Sequence, residues 1–407
     1  MTAPPPPYPF SARGDTIAAE ERRLQRTCPV SRVRTPRADA RLVTGYDAAV
    51  RALEDDRISL AALARAGAPR AFATGMPPEL TDSLPALERM GVRDIARREI
   101  APNRVKALEP WVRATARDLL AAVAAGPQPA DLVTGYTRAL PLAVGCRLVG
   151  IPVDEGRALL PGVEAAMRLA PDPEGTRAIL DRQQAYFRGV LERPDLPPGL
   201  ARSLVDAAAA RPPDDPLGPD HMAAALSWLF GLANAGPATV LALTLYTLLR
   251  RPDLVAELRA DPGLAPRATE EALRLAYFLH TPLERLAVAD VEIGGAAIRA
   301  GDLVLIAADA ANRDPAVFDD PDTFDPHRRS DGHLGFGHGP HFCAGSALAR
   351  MGLRVGIQEF AERLPDVRPA VPPAEIPWCP DSMDRFPLRL PVHAHQSPPT
   401  ADTGDRP

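Results

Sequence analysis

Lysine is nearly missing from this chain. Of 47 basic residues in 407 only Lys106 is a lysine, and 52 acids leave a formal charge of −5. No surplus of positive charge is on offer to a nucleic acid or an anionic bilayer, which leaves small molecules and acidic or neutral proteins as partners. Cysteine is sparse too: Cys28, Cys146, Cys343 and Cys379 are scattered without CxxC spacing. That excludes a disulfide framework or a zinc ribbon as the organising device and fits a reduced, cytoplasmic setting. The opening MTAPPPPYPFSARGD holds no apolar signal core, so export is not implied. Residues 1–24 read as a proline-rich, partly ordered segment, 25–392 as one large domain and 393–407 as a disordered tail.

Apolar residues, by contrast, are plentiful. At 46% hydrophobic the chain can bury a large core. Met222 to Leu249 carries no charge over 28 residues, enough to span a bilayer. Ser227, Asn234, Thr239, Thr244 and Thr247 interrupt it, and it is the only such stretch, so the expectation is a helix buried through the centre of a soluble domain. In its middle Gly236 and Pro237 predict a break, because proline removes a backbone donor and clashes with the carbonyl four residues earlier.

Helical periodicity also marks 103–126, 130–149, 155–170, 174–192, 199–211, 252–259, 264–277 and 344–364. Residues 40–59 read as a short strand, LVTG, then a helix opening at Tyr46 or Asp47. Between 283 and 308, alternation and a Gly-Gly turn indicate a small β region. The fold class is mainly α with a minor sheet (α+β).

The stretch HLGFGHGPHFCAGSALARMG, residues 333–352, sets Cys343 at the mouth of a helix, after a turn loosened by Gly335, Gly337 and Gly339. Unpaired amides and partial positive charge at a helix start favour a thiolate, the form a soft metal takes. Gly345 keeps that helix slim where something flat must lie close. A buried structural cysteine is the plainer reading, and a zinc site using His333, His338, His341 and Cys343 a sharper rival.

Phe336-Gly337-His338-Gly339-Pro340-His341-Phe342-Cys343-Ala344-Gly345 resembles, position for position, the haem-binding loop of the cytochrome P-450 family. Glu271-Ala-Leu-Arg274 resembles that family's ExxR pair, and the FDPHR stretch supplies Arg328 as third member of the clamp. The similarity runs over roughly residues 25–392 and is to the soluble bacterial members. It implies a single-domain fold with a long central helix over the haem, and haem b (iron protoporphyrin IX) bound non-covalently on the Cys343 thiolate. The propionates would be held by His341, Arg285 and Arg93, with Arg89 where histidine is usual.

On the same resemblance, Ala235-Gly236-Pro237-Ala238-Thr239 corresponds to the AGxxT motif of the oxygen-binding side. Most members carry an acid just before the threonine, and here that position is Ala238. Thr239 retains a hydroxyl, while Asn234 with ordered water or a substrate group would complete a proton relay. If nothing does, oxidative coupling, ring closure or peroxide-driven oxidation becomes the alternative. The implied function is a monooxygenase tailoring a bacterial secondary metabolite, a monomer drawing electrons from NAD(P)H through a ferredoxin and its reductase, with no membrane and no nucleic acid involved. A non-catalytic partner protein of the same fold is the contrasting class. Arg350 and Arg354, on one helix face, are candidates for meeting an acidic carrier. The segment before Arg93, residues 165–185, Phe278–Pro282 and Asp381–Met383 are expected to line the pocket, with Trp228, Phe278, Leu279 and Met383 pointing to an apolar or aromatic ligand.

Overall fold

A computed structural model describes residues 5–10, 16–65, 67–73, 90–169, 172–212, 217–276 and 281–394. The expected order of elements is found. Helices run over Pro102–Ala125, Ala139–Val149, Val153–Met167, Pro173–Leu191, Leu200–Ala209, Pro219–Leu249, Pro252–Ala260, Ala265–Leu275 and Ser346–Arg363. A helix opens at Tyr46, as the sequence indicated.

The minor sheet has five strands in the order Val30–Arg34, Asp39–Val43, Leu303–Ile306, Leu283–Ala287 and Ile58–Ser59. Asp39–Val43 and Leu303–Ile306 pair in parallel and the other neighbours antiparallel, with Arg285 opposite Val304. Gly294 and Gly295, both at positive φ, turn the hairpin of Val291–Ile293 with Ala296–Ile298. Their missing side chains permit the left-handed turn that this tight reversal demands.

The helix Pro219–Leu249 is long and apolar enough to cross a membrane, yet it is the core around which the others pack. Burial on nearly all sides explains its all-round apolarity. The expected interruption at Pro237 does not occur: one helix passes through it. Proline has no N–H to donate, so the Ala233 carbonyl still loses its ordinary partner while neighbouring turns keep theirs.

The boundary drawn at residue 25 falls inside a helix, Ala19–Thr27. Tyr8, Ile17 and Leu24 are buried in one cluster with Leu42 and Leu303, so part of the N-terminal segment belongs to the core. At the other end Val392 and Ala394 are buried, and the expected tail from 395 on lies outside the described residues.

Candidate active site

The ExxR pair forms as its spacing implies, since side chains three apart share a helix face. Glu271 and Arg274 are fully buried and joined by two hydrogen bonds, Arg274 Nε to Oε2 at 2.8 Å and Nη2 to Oε1 at 2.7 Å. Arg328 Nε donates to Glu271 at 3.2 Å, Ser330 Oγ at 2.6 Å and the Asp325 N–H at 3.1 Å. Burial pushes the Glu271 carboxyl up, but these donors, Arg274 foremost, hold it below the ordinary carboxylate range.

Arg274 also donates to the carbonyls of Asn312 and Pro321, at 2.7 and 2.8 Å. The Asn312 side chain returns a bond to the Arg274 carbonyl at 3.1 Å and accepts the Leu334 N–H at 2.6 Å. One buried amide thus ties the clamp to the start of the cysteine loop.

That loop is held closely rather than loosely. A Cβ on Gly335 would lie 2.4 Å from the Leu273 carbonyl, and one on Gly339, at φ +69°, 2.7 Å from the Leu53 carbonyl. These glycines are required by close approach of backbone to backbone, not by flexibility. The Cys343 N–H donates to the Phe336 carbonyl at 3.0 Å, closing the turn. Phe336 is buried, and the Arg350 guanidinium lies 4.6 Å from its ring centre.

Cys343 precedes the helix Ser346–Arg363, with Gly345 as its N-cap. A Cβ on Gly345 would stand 3.8 Å from Cys343 Sγ, ordinary contact. The expectation of a helix start favouring the thiolate is outweighed here: burial pushes the Cys343 thiol up, and the Gly345 N–H and the Arg350 charge pull it down only in part. A bound metal ion reverses that balance, because its own charge deprotonates a coordinating thiol.

The histidines do not converge on the cysteine. His333 is buried, accepts the Gly335 N–H and meets Glu270 at 3.2 Å, while His338 meets Glu54 at 2.7 Å. Among the described residues no group of three or more His, Cys, Asp or Glu forms a metal-ligand set, so the zinc reading finds no geometric support.

Arg350 and Arg354 turn out to be engaged. Arg350 grips Glu270 through two bonds of 2.8 and 2.9 Å, and Arg354 reaches Glu109 at 2.6 Å. The lone charges expected on an open face are instead neutralised by ion pairing. Glu270 was missed by sequence reasoning; 80 positions separate it from Arg350, and no periodicity links them.

Of the cationic candidates, Arg93 reaches the cysteine loop, its Nη2 3.4 Å from the Pro340 carbonyl beside the exposed His341. Arg285 is buried on its strand at 7% exposure. Arg89, Phe278 and Leu279 lie outside the described residues.

On the central helix Leu232 is 56% exposed although its neighbours are buried or half-buried. At 3.6 residues per turn Trp228, Ala235, Gly236 and Thr239 fall on the same stripe, while Asn234 is turned by about 200° to the opposite side. The contacts agree: a Cβ on Gly145, in the helix Ala139–Val149, would meet Asn234 Nδ2 at 2.8 Å, and Nδ2 donates to the Phe230 carbonyl at 2.8 Å. Asn234 therefore packs against another helix and is not available to a relay on the Thr239 face. Ala238 offers only a methyl. Thr244 and Thr247 bond back to carbonyls four residues earlier, whereas the Thr239 hydroxyl makes no such bond among the described residues.

Segments expected around the pocket do meet. The Met383 N–H donates to the Met167 carbonyl at 2.8 Å, Leu169 N–H to Asp381 at 3.1 Å and Thr281 N–H to Met383 at 3.4 Å.

Comparison with known proteins gives one consistent result. The cytochrome P-450 family profile matches residues 264–364. The chain is 35% identical over 388 residues to mycocyclosin synthase of Mycobacterium tuberculosis, covering 94% of this chain and 97% of that protein. It is 35% identical over 404 residues to the mycinamicin IV hydroxylase/epoxidase of Micromonospora griseorubida, covering 96% and 99%. Among solved structures, that of HinD with NMFT and NO superimposes with a TM-score of 0.86 at 32% identity, covering 96% of this chain and all of that one.

Proposed function

This chain belongs to the cytochrome P-450 family, and from that premise we propose that the Cys343 sulfur would hold the iron of a non-covalently bound haem b and that the chain oxidises a small apolar or aromatic metabolite. The protein is an oxidoreductase of the monooxygenase type, like its relatives among bacterial tailoring enzymes. One observation carries the site assignment: Cys343 is presented from a turn fixed by two glycine contacts, the Cys343–Phe336 backbone bond and the Arg350–Phe336 stack.

The residues present fit an iron porphyrin. A thiol stands at the mouth of a helix, and Leu232 of the central helix presents an apolar side chain that is 56% exposed. The bound haem would supply the oxidising power, with thiolate ligation favouring cleavage of the oxygen–oxygen bond. His341, Arg93 and Arg285 would pair with its propionates, as buried carboxylates require. Arg89, where the family usually has histidine, is the fourth candidate.

On the opposite side Thr239 contributes a free hydroxyl, the Ala233 carbonyl an acceptor released by Pro237, and Ala235 and Gly236 room for a small ligand. No acid of the central helix between Met222 and Leu249 stands ready to pass a proton to Thr239. The substrate's own hydroxyl, carboxyl or ordered water then fills that role. Oxidative coupling or ring closure, which depends less on a relay, is the second reading, and the methyl of Ala238 is what favours it. Electrons from NAD(P)H through a ferredoxin and its reductase, a monomeric state and a cytoplasmic location complete the proposal.

Haem titration into the full chain tests the cofactor assignment. One equivalent should bind wild type, and Arg93→Ala combined with Arg285→Ala should weaken uptake about tenfold or more. Undiminished uptake by the double variant would remove the propionate assignment.

A further inference from the structure

Two adjacent glutamates of the helix Ala265–Leu275 serve different parts of the molecule. Glu271 organises the clamp with Arg274. Glu270, turned by about 100° around the same helix, faces the helix that follows Cys343. There it meets Arg350 in a forked pair, Nε to Oε1 at 2.8 Å and Nη2 to Oε2 at 2.9 Å. Two parallel bonds fix the plane of the guanidinium as well as its position.

The fork is braced on both flanks. His333 is buried and its Nδ1 accepts the Gly335 N–H at 3.0 Å, so Nε2 carries the proton that is shared with Glu270 Oε2 at 3.2 Å. The guanidinium lies 4.6 Å from the centre of the buried Phe336 ring, and the Phe336 carbonyl accepts the Cys343 N–H at 3.0 Å. Glu270, His333, Arg350 and Phe336 thus form one chain of contacts that ends on the backbone of the cysteine.

Arg350 lies in the second turn of the helix Ser346–Arg363. Helical side chains lean towards the N-terminus, which carries its charge back towards the cysteine loop. Burial opposes the Cys343 thiolate, and the Arg350 charge favours it. The pair is therefore a fixed dipole whose positive member acts on the sulfur, while Glu270 holds that member in place from a neighbouring helix.

We propose that Arg350 is a positioning residue that sets how readily the haem-loaded protein accepts an electron, with Glu270 as the counter-charge that tempers it. This role rests on the assignment of Cys343 as iron ligand. One electron, delivered by the ferredoxin of the proposed chain, adds one unit of negative charge to a centre that a thiolate already makes electron-rich. A nearby cation stabilises the added charge and a nearby anion opposes it. Replacing Arg350 deletes the cation and leaves Glu270 uncompensated, which lowers the reduction potential. Neutralising Glu270 leaves Arg350 uncompensated, which raises it. A brace with no electrostatic role behaves differently, since both changes then loosen the same loop and move the potential the same way.

Reductive titration of the haem-loaded full chain with redox dyes, followed by absorbance, reads the potential without turnover. Arg350→Gln should decrease and Glu270→Gln increase the equilibrium constant for reduction, each by about threefold, which is ~28 mV for one electron. The effect is modest because the pair is partly exposed and screened. Arg350→Lys keeps the charge without the fork and should stay nearer to wild type than Arg350→Gln. Shifts in the same direction, or none, in variants that retain the thiolate-type carbon monoxide band would overturn the proposal. Glu270→Gln decides the matter even if the arginine variant fails to fold, because a potential at or below wild type in that variant refutes the role. Absence of the thiolate band from wild type itself would instead defeat the Cys343 assignment, and this role with it.

Discussion

The two sides of the central helix solve opposite problems. Towards the ExxR pair and the cysteine loop, every buried charge has a partner: Glu271 accepts from Arg274, Arg328, Ser330 and Asp325, and Glu270 takes Arg350 and His333. In and beside the segments expected to line the pocket, polar atoms are left over: Thr281 Oγ1, Asp384 Oδ1 and Gln183 Oε1 are buried without a partner among the described residues. A saturated network fixes one geometry, whereas leftover donors and acceptors are what a ligand or water can use. Rigidity is thus concentrated around the cysteine proposed as iron ligand, and unsatisfied polarity around the segments proposed to meet the substrate.

Removing one member of the saturated side should have the largest effect. Glu271→Gln leaves Arg274 buried without its counter-charge and should destabilise the protein by about 3–5 kcal/mol, seen as loss of soluble protein or a much lower denaturant midpoint. Folding at wild-type stability would show that the clamp is not what orders this region.

On the open side, Ala238→Glu supplies the missing acid. Coupled, dioxygen-dependent product formation should rise by about tenfold or more, with less peroxide released. An unchanged rate and peroxide yield in a correctly folded variant would mean that proton supply comes from elsewhere.

Two carboxyls sharpen the contrast through pH. Burial raises the Asp384 carboxyl from 3.8 to about 7. Folding therefore disfavours its ionised form, and stability is lost as pH climbs from 3.8 to about 7. Asp384→Asn should escape that loss and be more stable than wild type at pH 8 by about 1–3 kcal/mol in denaturant titrations. Equal stability at pH 8 would mean that Asp384 finds a partner in solution.

Glu270 has the opposite sign and a smaller effect. Burial pushes it up, but His333 and Arg350 bring it from 4.5 down to about 2. Its contribution is complete above pH 4.5 and fades as pH falls towards 2. Because the pair is partly exposed, Glu270→Gln should cost only about 1 kcal/mol or less at pH 7, and the difference from wild type should shrink below pH 4. A pH-independent difference would locate its effect in packing rather than charge.

Much of this was legible in the residues. Periodicity located the long helices, the Gly-Gly pair marked the hairpin at 294–295, and an i,i+3 spacing put Glu271 and Arg274 together. Local patterns carry such information because they are made by neighbours in the chain. The helix Ala19–Thr27 escaped notice because it follows a proline-rich stretch and is dominated by charged residues. Glu270–Arg350 and Arg274–Asn312–Leu334 were invisible because they join segments far apart in sequence. Asn234 was misjudged because nearness to Thr239 in sequence was taken for nearness in space, and helical rotation sends the two to different faces.

The account rests on sulfur from Cys343 binding haem iron, and the absorbance of the haem-loaded protein, reduced and exposed to carbon monoxide, tests this most directly. Wild type should show the band specific to a thiolate-ligated carbon monoxide adduct, and Cys343→Ser should lose it. Haem bound without that band, or the band persisting in the serine variant, would contradict the assignment.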